Sequence, residues 1–154
     1  MPRERNTHGE ESVVGPQSVS VDWLAIHDLL LRYARALDSR DWPLLRTCFH
    51  PGAHARYGES ELIGPQAISD YCEQALTRYR ITQHLLAAPH IVVDGDGATA
   101  RTSLQATHVE PMPEGESLFV VAGTYHDKIV RERGEWRLAE RWLETVWTDR
   151  RRAP

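Results

Sequence analysis

A chain of 154 residues has room for one domain and little beyond it. Hydrophobic residues at 41% and charged residues at 26% exclude a mainly disordered chain, a collagen-like repeat and a disulfide-dense mini-protein. Eighteen Lys and Arg against twenty-two Asp and Glu leave a net charge of −4, without the overall basic footprint of a nucleic-acid binder.

Residues 1–19 are polar and punctuated by Gly and Pro, and they read as a flexible leader without the apolar core of a secretory signal. The ordered domain is expected over residues 20–149, with a basic tail over 150–154 that carries Arg150, Arg151 and Arg152. A first helix opens near Ser20 as N-cap, with Asp22 in its first turn. Trp23, Ile26, Leu29, Leu30, Tyr33, Ala34 and Leu37 then recur at the spacing of one buried helical face, ending around Asp38-Ser39. A short second helix follows Asp41, with Pro43 in its first turn and Leu44, Leu45, Cys48 and Phe49 inward, and Pro51-Gly52 stops it. Residues 53–58 read as a short strand, and a third helix opens at Gly64-Pro65 and carries its stripe to Tyr79.

The second half has a different texture. Residues 81–93, 98–109, 118–130 and 136–147 are rich in β-branched and aromatic residues, and Gly- and Pro-containing turns separate them. Four consecutive antiparallel strands joined as hairpins are expected. Helices first and a sheet afterwards define an α+β fold with the helices covering one sheet face and a cavity between.

Polar groups at inward positions mark where chemistry can sit. His84 interrupts an otherwise apolar strand and needs a partner; a hydrogen-bonded core histidine is the bland alternative. Asp38 ends an apolar helix face, where the helix dipole opposes a carboxylate, so something else should hold it. The bland alternative there is a loop-starting aspartate bonded to local amides. Tyr33 lies five residues earlier on the same helix, either lining the cavity or turning its hydroxyl to water. His108 alternates onto the face of Thr102, Leu104 and Ala106 but stands near a strand end, and a surface position is the favoured reading. Tyr57 and Arg141 lie on strands whose inward face the spacing leaves open. No metal-ligand spacing is present: Pro51-Gly52 separates His50 from His54, and Cys48 and Cys72 are read as buried thiols of a reducing cytosol. No stretch approaches the roughly 18 apolar residues of a membrane span. A cytoplasmic location, no cofactor, and no nucleic-acid or membrane partner are expected.

Taken together, several segments resemble the SnoaL-like branch of the nuclear-transport-factor-2-like superfamily. They are Ile26-His27-Asp28-Leu29-Leu30, Tyr33 to Asp38, Arg40-Asp41-Trp42, Phe49 to Ala53, Gly64 to Ile68, Thr82-Gln83-His84, Asp94-Gly95-Asp96 and Gly134 to Arg141. The resemblance spans roughly residues 21–147 and implies a cone-shaped α+β barrel, three helices packed on a curved, mostly antiparallel sheet, with one deep pocket. It also implies an acid-base pair like that of scytalone dehydratase, bile-acid dehydratase and hexachlorocyclohexane dehydrochlorinase. By position, Asp38 matches the aspartate of that pair, His84 its histidine and Tyr33 a pocket tyrosine. His108 falls near a second polar pocket residue, and Arg141 matches a C-terminal strand arginine. The expectation is a cofactor-free lyase or isomerase acting on a small hydrophobic carbonyl compound or alcohol, as a homodimer or homotrimer. His108, Tyr57 and Arg141 would contact the substrate. Alternatives on the same scaffold are a non-catalytic ligand-binding module, a dioxygenase small-subunit-like protein and a polyketide cyclase-like enzyme or hydrolase that uses Asp38 directly as base.

Overall fold

The computed structural model describes residues 16–152. Three helices, α1 (Pro16–Ser39), α2 (Trp42–Thr47) and α3 (Pro65–Leu76), lie among six strands, β1 (Phe49–Tyr57), β2 (Ser60–Ile63), β3 (Ile81–Asp94), β4 (Gly97–Pro111), β5 (Glu116–Glu132) and β6 (Glu135–Arg152). The strands form one sheet in the order β2-β1-β6-β5-β4-β3. The long strands β3 to β6 pair antiparallel as successive hairpins, and β1 joins the sheet in parallel with β6. The α+β expectation and the run of four antiparallel strands match this architecture. Among the described residues no helix is long and apolar enough to cross a membrane.

Helix α1 buries Ile26, Leu29, Leu30, Tyr33, Ala36 and Leu37, a three-and-four pattern that lays one stripe over β3. It begins at Pro16 rather than near Ser20, so 16–19 are helical and the remainder of the expected leader lies outside the described residues. A proline in the first turn loses no intrahelical hydrogen bond, which is why the helix can start there. Asp22 consequently sits beyond the first turn, and it does not serve the helix dipole. It accepts hydrogen bonds from Arg131 at 2.7 Å and from Trp136 Nε1 at 3.0 Å, stapling α1 to β5 and β6.

Asp41 caps α2 as expected, accepting from the Leu44 N–H at 2.9 Å. The helix is shorter than its apolar pattern suggested. The Leu138 N–H donates to the Cys48 carbonyl at 2.9 Å, and Phe49 pairs with Leu138, so the sheet takes residues 49–52 into β1 through an irregularity before His54. Phe49 is still buried, but from a strand. A two-residue turn at Gly58-Glu59, with Gly58 at φ 59°, folds β2 back on β1. Helix α3 stops at Leu76, and Tyr79 is buried from the link into β3. At the other end, Arg150, Arg151 and Arg152 belong to β6, paired with Phe119, Leu118 and Ser117, so three residues of the expected tail are strand and the rest of it lies outside the described residues.

Candidate active site

Asp38 leaves the C-terminal turn of α1 facing β3, and β3 answers it with three donors. The His84 ring nitrogen Nδ1 lies 2.6 Å from Asp38 Oδ1, the His84 backbone N–H donates to Oδ2 at 2.9 Å, and Thr82 Oγ1 donates to Oδ1 at 3.2 Å. These bonds are the compensation that a carboxylate at a helix C-terminus requires. Burial pushes the Asp38 carboxyl up, but the hydrogen bonds and charge of His84 and the Thr82 hydroxyl outweigh it and hold the group below its ordinary value. A carboxylate can only accept, so Nδ1 carries a proton in either charge state of the ring, and in the neutral ring the lone pair is on Nε2. Nε2 has no hydrogen-bond partner among the described residues, and the His84 side chain is 6% exposed.

The ring of His84 borders a cavity of about 430 Å³ walled by Tyr79, Leu104, His108, Phe119 and Val121, with Gln74 and Arg78 also lining it. A smaller chamber of about 120 Å³ also borders His84, Tyr71, Tyr125 and Leu143, and it is lined by Tyr33, Tyr57 and Cys72. His84 thus belongs to both spaces, while Asp38 lines neither and reaches them only through the ring. In the small chamber the hydroxyls of Tyr33 and Tyr57 are 2.9 Å apart. Burial holds both hydroxyls well above their ordinary pKa and pushes that of Tyr125 up to about 12, so all three are neutral donors.

His108 is buried, against the favoured surface reading, because the face it shares with Thr102, Leu104 and Ala106 is covered to the end of β4. Its ring meets that of His84 edge-on with centroids 5.7 Å apart. Nδ1–H donates to the Phe119 carbonyl at 3.0 Å, and burial depresses the pKa, so the ring is neutral with its Nε2 lone pair free to accept.

Arg141 was expected to contact substrate, and the structure places it elsewhere. Its side chain is fully buried, it forms a two-point ion pair with Asp127 at 2.7 and 2.8 Å, and it lines neither the cavity nor the chamber. Tyr57 does line the chamber. Sequence reasoning missed Tyr125 and Asp127 as site-forming residues. The signal was available: Tyr125, Asp127 and Ile129 alternate onto one buried face of β5, and a buried aspartate demands a cation.

Several known proteins share this arrangement of elements. A protein from Novosphingobium aromaticivorans named for scytalone dehydratase superposes with a TM-score of 0.79 at 23% identity, covering 90% of this chain and 93% of that one. A type 2 hexachlorocyclohexane dehydrochlorinase gives a TM-score of 0.82 at 17% identity, covering 91% and 95%. These likenesses establish the fold. Pea pathogenicity protein 2 of Fusarium vanettenii is 26% identical over 137 residues, covering 84% of this chain, which spans only 58% of that relative's length. The model of the SnoaL-like domain matches residues 20–142, which include Asp38, His84, His108 and the chamber tyrosines, and the chain belongs to that family.

Proposed function

We propose that this protein is a cofactor-free acid-base enzyme of the elimination or isomerisation type, acting on a small hydrophobic carbonyl compound or alcohol. One observation carries the reading: a histidine tied at Nδ1 by a carboxylate borders a hollow between helix α3 and the sheet, lined by apolar, aromatic and a few polar side chains. Nε2 is then a positioned general base. It takes a proton from the carbon beside a carbonyl, and Asp38 balances the charge the ring gains. The electron pair left behind expels a hydroxyl, which the imidazolium protonates through the same nitrogen, so water leaves and the base is restored. The Tyr33-Tyr57 pair donates to the substrate oxygen on which negative charge develops. A neutral His108 accepts from a substrate hydroxyl and orients it. Two structural relatives bear the names of elimination enzymes, a dehydratase and a dehydrochlorinase, which favours loss of a leaving group over a purely binding role.

A panel of β-hydroxy ketones, followed by the absorbance of the conjugated product, tests the proposal. His84→Ala should lower turnover by about 10²–10⁴-fold with the fold intact. Full activity in that variant, or the absence of turnover across the panel with tight binding retained, rejects the enzyme in favour of a binding module.

A further inference from the structure

One charged pair is sealed in the interior beside the small chamber. Arg141 Nε and Nη2 donate to the two carboxylate oxygens of Asp127, and both side chains have no exposed surface. Replacing such a pair by well-packed apolar residues is often neutral or stabilising, so fold stability is a weak reason for its presence. Its placement is informative instead. The guanidinium carbon stands 4.0 Å from the ring centroid of Tyr33 and 4.1 Å from that of Tyr125, against the faces of two chamber tyrosines. Nη1 is buried and has no hydrogen-bond partner among the described residues.

We infer that Arg141 is a positioning residue for the Tyr33-Tyr57 hydroxyl pair and makes the small chamber a cradle for an oxyanion, the enolate or phenolate oxygen of a bound molecule. The inference rests on the oxygen-binding role proposed above for Tyr33. A cation on the ring face draws electron density from the phenol and makes its O–H a stronger donor. When Tyr33 donates to Tyr57, the Tyr57 O–H is left for the ligand, and the chain of two hydroxyls is polarised in one direction. Burial drives all three tyrosine hydroxyls upward, and the Arg141 charge opposes it at each. Asp127 holds the guanidinium in place and partly cancels its field.

The test uses 4-nitrophenolate, at a pH where the probe is ionised, and nitrobenzene as its neutral counterpart without the oxygen. Binding of each to the full chain is read by calorimetry and expressed as a ratio. Wild-type protein should favour the phenolate by about tenfold, in line with hydrogen bonds to a charged group. Arg141→Met should lower the ratio about tenfold, whereas Asp127→Asn, which leaves the cation uncompensated, should raise it. A merely structural pair predicts that both variants lower it. The ratio is read without turnover, which separates this inference from any failure of the base. Equal binding of the two probes by wild-type protein, no phenolate binding at millimolar probe, or a fall in both variants overturns the inference. Should either variant fail to fold by circular dichroism, Arg141→Lys, which keeps the charge but gives up the two-point pairing with Asp127, takes its place: a ratio at or above the wild-type value supports the inference and a fall overturns it.

Discussion

Asp38→Asn is the sharpest perturbation of the site because it keeps shape while changing hydrogen-bond arithmetic. The carboxylate accepts from three donors, His84 Nδ1–H, the His84 backbone N–H and Thr82 Oγ1–H. An amide offers one accepting oxygen and two donating hydrogens. If the oxygen faces Nδ1 and Thr82, the new NH₂ confronts the backbone N–H. If the NH₂ faces Nδ1, the ring must move its proton to Nε2 and ceases to be a base toward the cavity. Hydrogen bonds to a charged group contribute about 1.5–3 kcal/mol. Asp38 is 28% exposed, so solvent screening reduces the expected loss to about 1–2 kcal/mol. That loss should be seen by urea unfolding at neutral pH. Because the folded-state pKa of Asp38 lies below its unfolded value, its stabilisation is complete above the unfolded value and fades as pH falls through the folded one. The gap between wild type and variant should therefore close below about pH 4. Turnover should fall about 10²–10⁴-fold, and long-range nitrogen–proton NMR should show the His84 proton moved to Nε2 or the ring disordered. A variant as stable as wild type at pH 7, with the proton still on Nδ1, refutes the reasoning.

Two further outcomes follow from groups outside the pair. The folded-state pKa of His108 is depressed by burial, so between that value and about pH 6.5 the unfolded chain binds more protons and stability falls as pH falls. His108→Gln should flatten that slope in urea titrations run from pH 7 to 5; an unchanged slope would place its origin elsewhere. Gly123 sits where β5 and β6 shift register, and a Cβ there would lie 2.2 Å from the Glu144 carbonyl oxygen. Gly123→Ala should therefore cost about 1–3 kcal/mol or more by chemical denaturation, and a neutral result would mean that the bulge can open freely.

The parts of the fold legible in the sequence are those written in local patterns. The α1 stripe from Ile26 to Leu37 and the turns that separate β3 to β6 each follow from neighbouring residues, and the structure matches them. Asp38 and His84 were conspicuous because each violates its surroundings, a carboxylate against a helix dipole and an imidazole in an apolar strand. Their contact follows from packing α1 across β3, which no local pattern encodes. What stayed hidden depends on partners distant in the chain. Residues 49–52 leave helix for strand because Leu138 pairs with Phe49. Arg141 looked like a substrate contact until Asp127, on the neighbouring strand, claimed two of its donor nitrogens.

The parallel seam between β1 and β6 imposes an order of events on folding. A segment made early finds its neighbour only after the whole hairpin run has been laid down, and contacts so far apart along the chain slow the final closure. During synthesis the short β1-β2 hairpin must wait with one edge open, a template for pairing with another chain. Shortening the last strand would prolong that wait, so aggregation during expression is the first penalty to look for in variants trimmed there.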